Sequence, residues 1–174
     1  MLASALLSCL VALSGCGYAL AGRGNSLPDY IRTIGIPNFT NQSRTPDLDH
    51  LLTEAVSAEF KGRGRYRIVP DSTNVDALLT VTIQPIILVP AEISPTGLAS
   101  KYTVTVIASV EFFDEKQKKA FWANPAFRLN DEYNVPNAAT VPDPSVIFSA
   151  DKNALERIAR SFAQSLVTSI LEAF

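Results

Sequence analysis

Few side chains in this sequence have the type and spacing that catalysis requires. The only histidine, His50, falls on the solvent side of a predicted helix, so we expect a surface residue rather than a general base. The pairs Asp114–Glu115 and Asp131–Glu132 are adjacent, which points their carboxylates to opposite sides of a strand and excludes an acid–base dyad. No nucleophile elbow, phosphate-binding loop or cluster of metal ligands occurs in the sequence. We therefore predict a protein that is not an enzyme and uses no cofactor or metal.

The thiol of Cys16 is the exception, because its surroundings indicate a covalent modification. Residues 2–13 form an apolar run as long as a signal-peptide core and shorter than the roughly 20 residues of a membrane-spanning helix. Leu13-Ser14-Gly15-Cys16 resembles the lipobox of bacterial lipoproteins, in which the cysteine takes a diacylglycerol and the leader is removed. The resemblance implies that residues 1–15 are a signal peptide. It also implies that Cys16 carries the lipid, with acyl chains such as palmitate.

Such an anchor holds a protein on a membrane while the polypeptide stays in water. Two or three acyl chains give stable attachment, because each buried methylene contributes about 0.8 kcal/mol. Gly17, not Asp, follows the cysteine, which by resemblance to lipoprotein sorting rules favours the outer membrane. Cys9 would be lost with the leader, so we expect no disulfide.

Composition predicts a single domain and argues against nucleic acid as a partner. The formal net charge is −2, so no overall basic bias suggests nucleic acid. Residues 16–29 are rich in glycine and poor in core-forming side chains, which is typical of a tether. Residues 30–174 are long enough for a single domain with its own core.

Hydrophobic periodicity predicts the element order β-α-β-β-β-β-α. Thr45 is the expected N-cap of the first helix, with Pro46 at its first position, and Ser149 or Asp151 is the expected cap of the last. Pro85 cannot donate to a ladder, so the strand that contains it is bulged or lies at an edge. The predicted strands cover 30–36, 65–69, 76–89, 101–113 and 120–135, and the helices run from 45 to 60 and from 149 or 151 to 174.

The two longest strands predict a hairpin that is symmetric about the charged turn 114–119. One side of this hairpin is apolar, and the other side is polar and carries Trp122 beside Ile107 and Ala126. The predicted apolar pairs are Phe112 with Phe121, Val106 with Phe127 and Val104 with Leu129, and the polar pairs are Thr105 with Arg128, Glu111 with Trp122 and Lys101 with Glu132.

The economical architecture is an α+β two-layer sandwich. Each helix has one apolar stripe and each strand one apolar face, so we expect a mostly antiparallel sheet of four to five strands with both helices on one face. The other face is expected to be rich in threonine and open. Residues 86–89 are apolar on both faces, so this strand end needs a cover from its own chain or from a partner.

Two further features allow more than one interpretation. Trp122 on the open face either contacts a partner or is incidentally exposed. Lys61, Arg63, Arg65 and Arg67 surround Tyr66, and they either bind an anion such as phosphate or a lipid headgroup or complement the dipole of a helix C-terminus.

Three segments together resemble the LptE family of lipopolysaccharide-assembly lipoproteins. The first is Cys16-Gly17-Tyr18-Ala19-Leu20 after the lipobox, and the second is residues 34–41, Ile-Gly-Ile-Pro-Asn-Phe-Thr-Asn, before a leucine-rich helix. The third is the C-terminal helix, from Ala154-Leu155-Glu156-Arg157 to Leu171-Glu172-Ala173-Phe174. The resemblance spans essentially the whole mature chain.

This resemblance implies a lipid-anchored protein on the periplasmic face of the outer membrane. It would plug and help assemble the β-barrel of its partner LptD, bind lipopolysaccharide and assist its transport to the outer leaflet. Lys101 and Arg128 are the candidates to meet lipid A phosphates, although Lys101 has an alternative partner in Glu132. Trp122, Thr103 and Thr105 are the candidates for the partner interface.

A second functional class also fits the pattern. The Ile-Gly-Ile-Pro-Asn-Phe strand, a helix, and Arg-Tyr-Arg-Ile-Val-Pro also resemble the start of periplasmic scaffold or regulator lipoproteins, which act on cell-envelope enzymes or secretion channels. The partner recovered from membranes would distinguish the two classes.

Overall fold

The computed structural model describes residues 27–63, 65–95, 97–134, 143, 145 and 151–173. The predicted signal peptide, Cys16, Ser149 and most of the predicted loop 136–144 lie outside the described residues. The elements are β1 (Thr33–Gly35), β2 (Thr40–Asn41), α1 (Leu48–Gly62), β3 (Arg67–Val69), β4 (Ala77–Ile83), β5 (Ile87–Ile93), β6 (Ala99–Asp114), β7 (Lys119–Asn134) and α2 (Lys152–Leu171).

The α+β two-layer prediction is confirmed, with seven strands in one sheet and two helices among the described residues. The expectation of a mostly antiparallel sheet is wrong, because the sheet is mixed. β1 runs parallel to β3 and β4, and β2 runs parallel to β4. The reason is the crossover through α1, which returns the chain to the end of the sheet where β1 began, so that β3 runs in the same direction.

The prediction of four to five strands is also wrong, partly because of Pro85. The predicted strand 76–89 is divided into β4 and β5, which pair in succession with the same side of β6. Residues 84–86 form the break, where proline offers no N–H to a ladder. β6 therefore carries β4 and β5 on one side and β7 along its whole other side.

One core joins both helices to one face of the sheet. The apolar residues of α1 recur every four positions and form one stripe, in which Leu48, Leu52, Val56 and Phe60 are all fully buried. The buried residues of α2 from Leu155 onward and the even-numbered residues of β6 from Val104 to Phe112 belong to the same cluster. The helix layer therefore covers this face, and no described helix or strand lies over the opposite face of the sheet.

The two predicted helix caps have different outcomes. The carboxylate of Asp151 accepts a hydrogen bond from the Ala154 backbone N–H at 3.0 Å, which confirms it as the cap of α2. The prediction of Thr45 as the cap of α1 is wrong, since Asp47 occupies that position with a left-handed φ of 58°. A turn held by Asn41, which donates to the Thr45 carbonyl, buries Thr45 before the helix begins.

Gly35 permits a close approach of two backbone segments. A Cβ at this position would lie 2.3 Å from the carbonyl oxygen of Asp71, which is well inside van der Waals contact. The segment after β3 can therefore pass directly over β1 only because residue 35 has no side chain.

The β6–β7 hairpin follows the predicted register only beside its turn. Asp114 pairs with Lys119 and Phe113 with Ala120, as a symmetric hairpin requires. Two bulges then shift β7 by two residues in total, so that Val106 pairs with Leu129 rather than with Phe127. Pro125 lies in the second bulge, where its missing N–H makes a regular pair impossible.

No helix among the described residues has both the length and the hydropathy to cross a membrane.

Candidate functional site

The uncovered face of the sheet is the candidate functional site, and we call it the open face. Its centre is formed by odd-numbered residues of β6, with Thr103 opposite Val89 and Thr105 opposite Ile87. On the other side of β6, Thr105 lies opposite Asn130, and its hydroxyl donates to the Asn130 side-chain oxygen at 2.8 Å. The predicted interface residues Thr103 and Thr105 are therefore both placed on this face.

Apolar side chains line the β5 edge of the open face. Ile87 is 45% exposed and Val89 is 51% exposed, while Leu88 between them turns to the helix side and packs against the core. Ile93 and Leu98, near the tip of the β5–β6 hairpin, are exposed as well. The two-sided apolar pattern of residues 86–89 predicted the first part of this row. Ile93 and Leu98 were missed, because isolated apolar residues near a turn carry no periodic signal.

Lys101 lies on the open face but is not a free cation. Its ammonium is 3.3 Å from the Glu132 carboxylate and 3.9 Å from the Glu92 carboxylate. The predicted ion pair with Glu132 is confirmed, although the backbone partner of Lys101 is Asn134 and the two side chains meet diagonally. An incoming phosphate would have to compete with two carboxylates for this lysine.

Arg128 is exposed on the same face and lies far from Lys101. Its backbone partner is Ile107, not the predicted Thr105. Six residues of β6 separate Ile107 from Lys101, which corresponds to roughly 20 Å along the strand. The structure therefore does not bring the two predicted phosphate contacts together.

The predicted placement of Trp122 on the open face is wrong. Trp122 pairs with Phe112 rather than with Glu111, and its ring contacts Phe127 edge-to-face at 6.3 Å between centroids. Phe127 in turn packs edge-to-face on Phe162 of α2, so the indole belongs to the helix side. The cause is the bulge at Phe121, whose ring stacks on Phe112 as predicted while the following residue joins it on the same side.

A polar cleft of about 720 Å³ lies where β7 ends beside the start of α2. Its principal contact is the Arg157 guanidinium, which binds the Asp131 carboxylate at 2.7 Å and donates to the Glu132 carbonyl at 3.1 Å. Burial and the neighbouring Asp151 carboxylate raise the pKa of Tyr133 in the same cleft. These contacts fasten α2 to β7, and they include no nucleophile beside a base.

The perturbed acidic groups elsewhere are also accounted for by the fold. Burial of Asp114 would raise its pKa, but hydrogen bonds from Tyr30 and from the backbone N–H groups of Gln117 and Lys116 outweigh burial and hold the pKa below its usual value. The hydrogen bond to Asp114 raises the pKa of Tyr30 to about 12. His50 is exposed, as predicted, and the described residues contain no cluster of potential metal ligands.

A protein-family model matches most of the chain. The model of the family LptE, described as lipopolysaccharide-assembly, matches residues 31–170. No curated protein matches this sequence significantly.

Solved structures share the fold at low sequence identity. A PelC variant from Paraburkholderia phytofirmans, solved as a dodecamer, is 18% identical with a TM-score of 0.50, and the match covers 87% of this chain and 95% of that one. Protein XCC0632 from Xanthomonas campestris is 12% identical with a TM-score of 0.50, covering 82% of this chain and 85% of that one. At these identities the likeness shows a common fold alone.

Proposed function

Because this chain belongs to the LptE family of lipopolysaccharide assembly, we propose that it is an outer-membrane lipoprotein that plugs and helps assemble an LptD-type β-barrel. In this proposal Cys16 carries the lipid anchor, and residues 16–29 tether the domain of residues 30–174 to the periplasmic face of the membrane. The assembled pair then assists the transport and insertion of lipopolysaccharide into the outer leaflet.

The observation that carries the proposal is the open face. The helices cover only the opposite face, so threonine, asparagine and charged side chains of β6 and β7 stand beside the exposed apolar residues of β5. A mixed polar and apolar surface of this kind is typical of a contact with another protein. The interior of an outer-membrane barrel is polar, and hydroxyl groups such as those of Thr103 and Thr105 can exchange hydrogen bonds with it. Trp122 is half-buried on the helix side of the sheet, but it lies on the edge strand β7, where it could also contact the interior of the barrel.

Arg128 is the stronger candidate for lipopolysaccharide binding. Its guanidinium is exposed and can bind a phosphate through two parallel N–H donors. Lys101 is already held between Glu92 and Glu132, so it would contribute only after those carboxylates move away.

The direct test is to purify the intact lipidated protein from outer membranes in mild detergent. We expect a stable one-to-one complex with a large β-barrel. When the chain is expressed in excess over the barrel, Cys16→Ala should release the surplus protein from the membrane fraction, whereas Cys9→Ala, a matched change within the predicted leader, should leave its pelleting unchanged. Continued pelleting of Cys16→Ala would remove the lipoprotein assignment.

Recovery of a soluble cell-envelope enzyme or a secretion channel instead of a barrel would favour the scaffold or regulator class.

A further inference from the structure

The folded domain begins beside a group of basic residues. The backbone N–H of Leu27, the first described residue, donates to the Tyr66 hydroxyl at 3.2 Å. Leu27 is itself buried in the core, although it belongs to the predicted tether. The first described residue is therefore fixed against the segment between α1 and β3.

Several exposed cations lie at this end of the domain, and we call the five that flank β1, α1 and β3 the basic end. The end is defined by the C-terminus of α1 and by the starts of β1 and β3, which pair in parallel from Thr33 and Arg67 onward. The Arg67 N–H donates to the carbonyl of Arg32, the residue just before β1, at 2.8 Å. This bond places Arg32 beside Arg67. The members of the basic end are Arg32, Lys61, Arg63, Arg65 and Arg67.

Acidic side chains neutralise only part of the basic end. Arg63 binds Glu59 at 2.9 Å and also donates to the Thr168 hydroxyl at 3.2 Å. Glu172 lines a cleft of about 220 Å³ together with Arg63 and Arg65. Arg32, Lys61, Arg65 and Arg67 form no ion pair with any other described residue. A surplus of positive charge therefore faces solvent where the tether enters.

The tether is short enough to keep this charge near the membrane. Eleven peptide steps separate Cys16 from Leu27, so Leu27 can lie at most roughly 40 Å from the anchor even if the intervening residues are fully extended. At an ionic strength of 0.15 M, electrostatic attraction extends about 8 Å from a charged surface. A lipid anchor at Cys16 would thus keep the basic end close enough to the membrane to contact the headgroups when the domain is turned toward them.

We propose that the basic end docks on anionic phospholipid headgroups of the leaflet that holds the anchor and so fixes the orientation of the domain. This inference rests on the lipid attachment proposed above. Docking at this end directs the opposite end, with Lys101 and the β5–β6 tip, away from that leaflet. The strands then run away from the membrane surface, and the open face does not lie against the lipid.

A reporter at Gly62 tests the proposal. Gly62 is exposed at the end of α1, and a Cβ there would meet no atom within 4 Å, so Gly62→Cys is compatible with the fold. The sequence contains only two other cysteines, one in the predicted leader and one predicted to be acylated, so a thiol-specific label reacts only at position 62. The label is a fluorophore whose emission shifts to shorter wavelength on entering a headgroup layer.

The labelled lipidated chain is reconstituted into vesicles of phosphatidylethanolamine with phosphatidylglycerol and, separately, into neutral phosphatidylcholine vesicles. We expect the emission shift only in the anionic vesicles. We also expect its loss in 1 M salt, where the screening length falls to about 3 Å. Each Lys or Arg near an anionic surface changes the docked-to-free ratio about fivefold, so Arg65→Gln with Arg67→Gln should lower it about 25-fold.

Two controls separate docking at the basic end from general attraction. Lys152→Gln with Arg160→Gln removes two exposed cations of α2 and should leave the shift unchanged. A label at Leu98→Cys, on the exposed hairpin tip at the opposite end, should show no shift in either vesicle.

The outcomes distinguish failure of the docking proposal from failure of the anchor. If the chain does not float with neutral vesicles, the lipid attachment is wrong and the docking proposal falls with it. If it floats but the Gly62 label reads the same in both vesicles, docking is overturned while the anchor stands. A shift on adding lipopolysaccharide, without a shift in anionic vesicles, would also overturn it, because the basic end would then be a lipopolysaccharide site.

Discussion

The hydroxyl of Tyr30 donates a hydrogen bond of 2.5 Å to the carboxylate of Asp114 across 84 positions of sequence. Asp114 is fully buried, and its other oxygen accepts the backbone N–H groups of Lys116 and Gln117 at 2.8 Å. One carboxylate therefore joins the start of the domain to the turn between β6 and β7. Lys116 strengthens the junction by donating to the Tyr30 carbonyl and by binding Asp76.

Asp114→Asn should lower the free energy of unfolding by about 1–3 kcal/mol, because the buried carboxylate that accepts from Tyr30, Lys116 and Gln117 loses its charge. Chemical denaturation monitored by circular dichroism gives this difference. Glu111→Gln, an exposed position on the same strand, is the matched control and should change stability by less than about 0.5 kcal/mol. Equal stability of the two variants would show that the Asp114 junction does not stabilise the fold.

Acid should destabilise the domain through the same carboxylates. Burial would raise the pKa of Asp76, but bonds from Lys116 and from the backbone N–H groups of Thr33 and Arg32 outweigh it and hold the pKa low, as occurs at Asp114. A lowered folded-state pKa contributes stability that is present above the usual Asp pKa of about 4 and is lost as pH falls through the folded-state value. The melting temperature, measured from pH 7 to pH 2, should therefore decrease once the pH is below about 4. The decrease should be less steep in Asp114→Asn. A flat profile would contradict this assignment.

The same valine-to-aspartate change on each side of the sheet tests which face is buried. Val106 is fully buried under the helices, whereas Val89 is 51% exposed on the open face. Val106→Asp should unfold the domain, since an unpaired buried carboxylate costs several kcal/mol, and Val89→Asp should melt nearly as the parent does. If Val89→Asp lowered the melting temperature more than Val106→Asp, the assignment of the buried and open faces would be wrong.

Several features could be predicted from the sequence because local chemistry determines them. The apolar stripe of α1, the Asp151 cap and the alternation along β6 depend on spacing alone, and the structure confirms each. Cap propensity places the start of α1 two residues early, because the turn that buries Thr45 depends on Asn41 and on packing.

Features that depend on distant parts of the chain were predicted less well. β1 and β3 each have three residues, too few to show whether they pair in parallel. The hairpin register required both bulges, and only Pro125 gave a visible sign of one. The error at Trp122 followed directly, since a one-residue shift moves a side chain to the other face. The predicted ion pair between Lys101 and Glu132 forms despite the changed register, because these long side chains reach diagonally from β6 to β7.

Lipopolysaccharide binding should depend more on Arg128 than on Lys101. Arg128→Glu should weaken the affinity about 10- to 100-fold, corresponding to the loss of charge-assisted hydrogen bonds of about 1.5–3 kcal/mol. Lys101→Glu should have a smaller effect, because Glu92 and Glu132 already occupy the lysine. Titration of the purified full chain with lipopolysaccharide, with circular dichroism to verify folding, gives both values.

Arg128→Lys is the matched control, since it keeps the charge and loses the two-donor geometry, and it should give an intermediate affinity. Unchanged binding in Arg128→Glu would exclude this residue from the lipid site.

Photocrosslinking from the open face tests the central claim most directly. A photoreactive amino acid at Asn130, an exposed position of β7 on that face, is activated in intact cells and the captured partner is identified by mass spectrometry. The same probe at Lys118, in the turn beyond the sheet, serves as the control and should capture less of that partner. We predict capture of a large outer-membrane β-barrel at Asn130. Capture of soluble periplasmic proteins alone at Asn130 would contradict the account.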